Sequence, residues 1–370
     1  MNLDCKNSPR KHADDTYDLA VSSGGATAIL AGTGTVLACD LSGIKKFRQI
    51  MGVSGGGIFG SILSSGPSIS EVLHMSLKTD FSKYLRADEG IASTLTSSVC
   101  RLGRASPRKP EKPESPHFES WNVSGVLGSA PLGRFVLQQL ASRNIHEWPE
   151  RFVTMATTRD GSALVFNKDG AFLVSTSGIK TQLANEAVPV DMAVRASATI
   201  VGVIAAIEYK GMMLFDGGLS RDGLCPVGVQ IRHFGADPRK IIACRVGEDS
   251  LSRITGGLHR LARVLWRVHP EYHWGPETAG VIEFRPPIEH VHSLKFELTR
   301  DEKWLAILVA FEAASASLAL SGILAGENLV KVQSIFEDLG YWRDYIPARA
   351  GEPQVLANRA ERTFAKHELY

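Results

Sequence analysis

Two short apolar runs, each ending in a glycine-rich turn that leads into a helix-forming stretch, limit what this chain can fold into. Asp18-Leu19-Ala20-Val21 runs into Ser22-Ser23-Gly24-Gly25, and residues 26–39 are small, apolar and helix-like despite Gly32 and Gly34. Residues 47–51 run into Gly52-Val53-Ser54-Gly55-Gly56, and the stretch to Leu63 is again helix-forming. Successive strand, turn and helix units place their strands side by side in parallel, with the helices covering the sheet. Further strand candidates are 152–156, 163–167, 211–215 and 240–246. Residues 301–324 form a long helix candidate, with Thr299 placed to cap it and Glu302 lying three residues on. The predicted class is α/β, with a mainly parallel central sheet between helices.

Composition narrows the choice of partners. The chain has 370 residues, 44% of them hydrophobic and 22% charged, enough for one large core. Its formal net charge is +2, so there is no global electrostatic argument for nucleic-acid binding. Five cysteines (Cys5, Cys39, Cys100, Cys225, Cys244) are widely spaced, odd in number and form no C-x-x-C, which fits reduced thiols better than disulfides or a zinc site. The first residues carry no apolar secretory core, and a cytoplasmic location is expected, with residues 1–16 as a flexible tail. The apolar window 306–324 contains Glu312 and is rich in Ala and Ser, so it reads as a buried helix rather than a membrane span. Between 103 and 120, Pro107, Pro110, Pro113 and Pro116 recur every third residue, the pattern of an extended surface insertion. The main domain is expected over 17–345, with 346–370 as a C-terminal tail.

The second glycine turn has the layout of a nucleophile elbow, in which a serine is held proud of the sheet between a strand and a helix. Gly52, Gly55 and Gly56 let the backbone bend there, and Ser54 is the candidate nucleophile. The first turn offers consecutive amides at a helix start, a nest for negative charge, so the amides of Gly24, Gly25 and Ala26 are candidate oxyanion donors. Both turns fall at the carboxyl edge of the sheet, where α/β proteins place their sites. Downstream, Asp216-Gly217-Gly218 follows the apolar run Met212-Met213-Leu214-Phe215 and supplies a candidate base. A free aspartate has a pKa of about 3.9, so Asp216 needs an apolar setting to serve a serine.

Three other readings compete. Gly55 to Gly60 also fits G-x-G-x-x-G, the dinucleotide fingerprint, but no strand ending in an acid follows it. A Ser-His-Asp triad could be completed by His233, His259, His269, His273, His290 or His292, and nothing selects one of them. The pairs His269 with His273 and His290 with His292 lack a third metal ligand at a telling spacing, so no metal is expected. Leu258, Leu261, Leu265 and Val268 share one helical face opposite Arg260, Arg263 and Arg267, which describes either a surface helix or a contact with anionic lipid headgroups.

The ordered set Ser23-Gly24-Gly25-Ala26-Thr27, Gly52-Val53-Ser54-Gly55-Gly56, Ala196-Ser197-Ala198 and Asp216-Gly217-Gly218 resembles the patatin-like phospholipases. The resemblance runs from about Tyr17 to Val246, followed by a less specific helical C-terminal part. It implies a three-layer patatin-like fold and a Ser-Asp dyad, with Ser54 forming an acyl-enzyme and Asp216 moving the proton. It further implies a phospholipid or lysophospholipid substrate and no cofactor; peripheral contact with a membrane surface is the reading that the basic stretch 258–268 offers beside that of a surface helix, and oligomeric state is left open. The chain departs from the family's usual oxyanion loop, with Ser23 in place of its first glycine, Thr27 in place of its arginine and Ala28 in place of its last glycine. Val201 stands where the family has a proline, and the spacing from Asp216 to Pro226 is longer than usual.

Overall fold

The computed structural model of the protein describes residues 17–84, 128–200, 204–220, 222–246, 275–288, 291, 295, 297–348 and 351–370. The tail 1–16, the proline-rich stretch 103–120 and the basic stretch 258–268 lie outside them. Strand β1 (Tyr17–Val21) leads into helix α1 (Gly25–Leu41), and β2 (Phe47–Gly52) leads into α2 (Gly55–Leu63). The two strands pair in parallel, with Leu19 opposite Ile50 and Val21 opposite Gly52. Beside β1 lie β9 (Ile241–Cys244) and then β10 (Ile282–Phe284), and beside β2 lies β3 (Phe152–Thr158), all parallel.

Beyond β3 the sheet changes character. β4 (Ala163–Asn167), β5 (Gly170–Val174) and β6 (Lys180–Ala184) continue it as an antiparallel meander. A hairpin of β7 (Ile207–Tyr209) and β8 (Met212–Phe215) joins it antiparallel to the end of β3. The α/β class is as expected, but the parallel part is confined to β10, β9, β1, β2 and β3. The connections 159–162 and 168–169 are too short to hold a crossover helix, so the chain can only turn back on itself there.

Side-chain alternation divides the parallel half into two buried faces. Leu19, Val21, Ile242 and Cys244 face the layer containing α1, α2, α3 (Ile69–Lys78) and α7 (Arg300–Leu320). Ala20, Ile241 and Ala243 face α6 (Val227–Phe234), whose Val229 also packs with Met51, Val153 and Met155. Farther along the first face, α5 (Val190–Ser197) and α4 (Ala130–Ala141) cover Phe152. The result is three layers, with strands apolar on both sides as parallel strands must be.

Helix α1 is buried along nearly its whole length, between the sheet and α7. Gly34 permits this, since a Cβ there would stand 2.4 Å from the carbonyl oxygen of Ile307. Helix α7 is long and apolar enough to cross a membrane by length and composition. It is instead packed inside the fold, with Trp304, Ile307, Phe311 and Ala314 fully buried. Its start is the expected one: the Glu302 amide donates to the Thr299 hydroxyl, and the Glu302 carboxylate accepts from the Thr299 amide at 3.0 Å.

Residues 346–370 are not a tail. They contain α9 (Val355–Lys366), which follows α8 (Gly326–Leu339) and buries Leu356, Ala360 and Phe364 completely. The Phe364 ring lies 5.0 Å from Trp304 and 6.1 Å from Phe311, centroid to centroid. The buried carboxylate of Asp301 accepts the amides of Ala357 at 2.8 Å and Ala348 at 3.3 Å, which fixes where the last helix starts. Leu356, Ala360 and Phe364 recur every fourth residue, the one sign of a buried face in an otherwise polar stretch. Phe364→Ala is expected to lower the free energy of unfolding by about 3 to 5 kcal/mol, read from urea melts. An unchanged midpoint would show that α9 is not part of the core.

Candidate active site

The chain leaves β2 at Gly52 and reverses through Val53 and Ser54 into α2. Ser54 has φ 55° and ψ −123°, a conformation that costs a non-glycine residue about 1 to 3 kcal/mol and persists only when its surroundings enforce it. Those surroundings are identifiable. The Ser54 amide donates to the Ser197 hydroxyl at 2.9 Å, and the Val53 amide donates to the Val21 carbonyl at 3.2 Å. The Thr154 hydroxyl of β3 donates to the Gly52 carbonyl at 2.8 Å. A Cβ on Gly55 would lie 2.0 Å from the carbonyl oxygen of Gly25, and one on Gly52 would lie 2.0 Å from that of Gly56. The elbow and the first glycine turn therefore touch backbone to backbone.

That first turn is pinned at its own start. The Ser22 amide donates to the Cys244 carbonyl at 3.1 Å, the Ser22 hydroxyl accepts from the Val246 amide at 2.8 Å, and the Ser23 amide donates to the Leu224 carbonyl at 2.9 Å. Helices α1 and α2 thus begin side by side, and amides in a first helical turn have no acceptor within their own helix. Gly25, Ala26, Ser54 and Gly55 line one cavity, so two helix N-termini, each partially positive, meet at the Ser54 side chain. Of the expected oxyanion residues, Gly25 and Ala26 line this cavity, while Gly24 sits one residue back as the helix cap. Gly55, expected only as an elbow glycine, lines it too; its place directly after the serine is the signal that the sequence held.

Asp216 arrives from the other direction, at the end of β8, where Phe215 pairs with Thr157 of β3. Its amide donates to the Thr199 carbonyl at 2.8 Å, and its carbonyl accepts the Thr157 hydroxyl at 2.9 Å. The carboxyl accepts the Gly218 amide on Oδ1 at 2.8 Å and the Ser23 hydroxyl on the same oxygen at 3.3 Å, and the Ser54 side chain is near enough to favour its ionised form. Ser54 is 3% exposed and Asp216 8%. Burial pushes the Asp216 carboxyl up to about 6, against the opposing pull of Ser54, Gly218 and Ser23. The apolar setting that the sequence reading required is present.

Thr154, Thr157, Ser197 and Thr199 hold this geometry, and sequence reasoning missed their part in it. Only Ser197 lay in a recognised motif. The cavity has about 480 Å³ of empty space, part of it open to solvent, and beyond the serine its walls include Ile29, Ile58, Phe81, Tyr84, Leu132 and Phe135.

Gly60 of the dinucleotide-like motif lies inside α2, where a Cβ would stand 3.2 Å from Ile50 and 3.4 Å from Phe152, so it serves helix-to-sheet packing. His233 packs against Phe172 with ring centroids 5.8 Å apart, and its Nε2 has no hydrogen-bond partner. The other triad candidates, His259, His269, His273, His290 and His292, lie outside the described residues. Cys39, Cys225 and Cys244 are free and buried. Among the described residues, no cluster of three His, Cys, Asp or Glu side chains could hold a metal ion.

The sequence model described as patatin-like phospholipase matches residues 19–227, more than half of the chain. The chain belongs to the patatin-like phospholipase family. The matched stretch contains both glycine turns, the Ser54 elbow and Asp216. None of the curated protein sequences matches the chain. Among solved structures, it is similar to VipD from Legionella pneumophila at 12% identity, over 88% of this chain and 75% of that one, with a TM-score of 0.39. It is also similar to the type III effector protein ExoU at 15% identity, over 83% of this chain and 53% of that one, with a TM-score of 0.37.

The raised Asp216 carboxyl has a consequence for stability. An acid whose folded pKa lies above its unfolded value holds its proton more tightly when folded, so stability falls as pH rises from about 4 to about 6. Above that window the buried charge costs about 3 kcal/mol. Asp216→Asn keeps an acceptor for Gly218 and Ser23 without the charge. Its Tm is expected to exceed that of the unmodified protein at pH 8, with the gap closing toward pH 4. A constant gap at all pH values would rule out the charge as the cause.

Proposed function

We propose that this member of the patatin-like phospholipase family cleaves fatty-acyl esters of phospholipids or lysophospholipids, with Ser54 as nucleophile and Asp216 as the only general base. The observation that carries the reading is a buried aspartate beside a serine on a strained turn, with two helix N-termini meeting at that serine at the end of an apolar cavity. A serine hydroxyl is a weak nucleophile until a base takes its proton. A carboxyl with a pKa of about 6 is ionised at neutral pH and is a better proton acceptor than an exposed aspartate.

In the proposed reaction, Ser54 Oγ attacks the ester carbonyl carbon while its proton passes to Asp216. Negative charge then builds on the former carbonyl oxygen, where the amides of Gly25, Ala26 and Gly55 are the donors at hand, with Gly24 shaping their turn. Preorganised donors of this kind are worth about 3 to 4 kcal/mol each. Collapse breaks the ester bond, and the departing alkoxide takes the proton from Asp216. The same carboxylate then draws a proton from water, whose oxygen attacks the acyl-serine; the bond to Ser54 Oγ breaks, Asp216 returns the proton to that oxygen, and the fatty acid leaves. The family's arginine is absent from the turn, where the side chain is Thr27, whose hydroxyl donates to the Val291 carbonyl at 3.2 Å. Anion stabilisation therefore rests on backbone amides and helix ends.

The walls of the cavity favour an alkyl chain. Apart from Ser54 and Tyr84 the side chains lining it are apolar, so binding energy comes from removing hydrocarbon from water, about 0.8 kcal/mol per buried methylene. The headgroup would remain outside, at the lipid surface.

Fatty-acid release from mixed phospholipid and lysophospholipid vesicles tests the reading. Ser54→Ala and Asp216→Asn are each expected to lower kcat by at least about a thousandfold, with single His→Ala variants near the parent value. Because the base must be ionised, kcat should climb with pH through an acid limb at about 6. Abolition of turnover by one histidine substitution would move the assignment to a Ser-His-Asp esterase. Full activity without Ser54 would end the nucleophile assignment.

A further inference from the structure

Ser23 is the departure from the family's oxyanion loop that lies nearest the chemistry. Its side chain is 7% exposed, and its hydroxyl donates to Asp216 Oδ1 at 3.3 Å. The hydroxyl is wedged in place, since a Cβ on Gly218 would stand 2.7 Å from Ser23 Oγ. The backbone of Ser23 is held independently, through its amide on the Leu224 carbonyl at 2.9 Å. The second donor to Oδ1, the Gly218 amide, belongs to the same turn as Asp216 and moves with it. Ser23 comes instead from the turn after β1, two residues before the Gly25 carbonyl that abuts Gly55. A glycine at this position has the same backbone but no donor.

We infer that Ser23 is a positioning residue for Asp216, fixing the carboxyl against Ser54 and setting the pH at which it becomes a base. The inference rests on the Ser54 and Asp216 reading above. A donor aimed at a carboxylate favours its ionised form. A carboxylate oxygen has two lone-pair sites, and the Gly218 amide and the Ser23 hydroxyl fill both of them on Oδ1. The other groups facing Asp216 are the Ser54 hydroxyl from the elbow, the Thr157 hydroxyl of β3 on its carbonyl, and the Thr199 carbonyl on its amide. No charged side chain among the described residues contributes to its titration.

The test compares kcat and KM against pH, on the same vesicles, for the parent protein, Ser23→Ala and Ser23→Gly, with Ser54→Ala and Asp216→Asn as controls. Removing the donor favours the neutral acid, so the acid limb of kcat is expected to move upward by about 0.5 to 1 pH unit in both Ser23 variants, with KM unchanged. A loss by the same factor at every pH, with the limb in place, overturns the inference, since disturbed packing of the turn produces that result. The second readout needs no turnover: the carboxyl of Asp216 is titrated by 13C NMR in Ser54→Ala, with and without Ser23→Ala. An upward shift of its midpoint on loss of the hydroxyl supports the inference, and an unmoved midpoint overturns it. If the two controls keep full activity, the dyad reading fails, and the NMR titration still decides whether Ser23 governs Asp216.

Discussion

The site depends on a contact that involves no side chain. The turn after β1 and the turn after β2 meet through Gly25 and Gly55, so closely that a methyl group on Gly55 would fall 2.0 Å from a carbonyl oxygen. That approach brings the starts of α1 and α2 together, so two helix N-termini, each partially positive, share one corner. It also fixes Ser54 in its strained conformation, because the elbow cannot relax without pushing one turn out of the other. Parallel pairing of β1 and β2 supplies the registration, with Val21 opposite Gly52.

Strand β3 sets the distance between the serine and the acid. Its Thr154 hydroxyl holds the Gly52 carbonyl at the elbow, and its Thr157 hydroxyl holds the Asp216 carbonyl. Along the edge away from β4, the strand is parallel to β2 near its start and antiparallel to β8 near its end, so chains arriving from opposite directions deliver Ser54 and Asp216 to one place. Ser197 and Thr199, which flank the end of α5, bind the amide of Ser54 and the amide of Asp216 respectively. Ser54 and Asp216 are thus tied to the same two elements. The buried carboxyl lowers folded-state stability above about pH 6, the cost of holding a desolvated carboxylate.

The features legible in the sequence were those with local causes. The two strand, turn and helix units, the capped start of α7 and the elbow glycines each follow from the residues within a few positions of them. The meander of β4, β5 and β6 was only partly visible, because β6 (Lys180–Ala184) is polar and partly exposed and carries no apolar alternation. Helix α9 was missed because its surface is strongly polar and its docking depends on Asp301, far back in the chain. At the site, Ser54 and Asp216 were recognisable from their glycine contexts, and Gly25 and Ala26 from their place at a helix start. Ser23 was noticed only as a departure, and the parts of Thr154, Thr157 and Thr199 not at all, since a hydroxyl or carbonyl that holds a distant group leaves no local pattern.

The sequence by itself therefore determined the α/β class, the position of the elbow, the membership of the catalytic candidates and the requirement that Asp216 be desolvated. Those follow from strand and helix periodicity, from glycine's freedom to turn tightly and from the intrinsic acidity of a carboxyl. Only the tertiary structure decided that the acid reaches the serine from an antiparallel hairpin, that Ser23 donates to its Oδ1, and that the last residues close the core over α7. Each of these depends on which carbonyls, hydroxyls and rings come within a few ångströms of one another. Contacts between residues far apart in the chain are set by the packing of the whole sheet, which no local run of residues encodes.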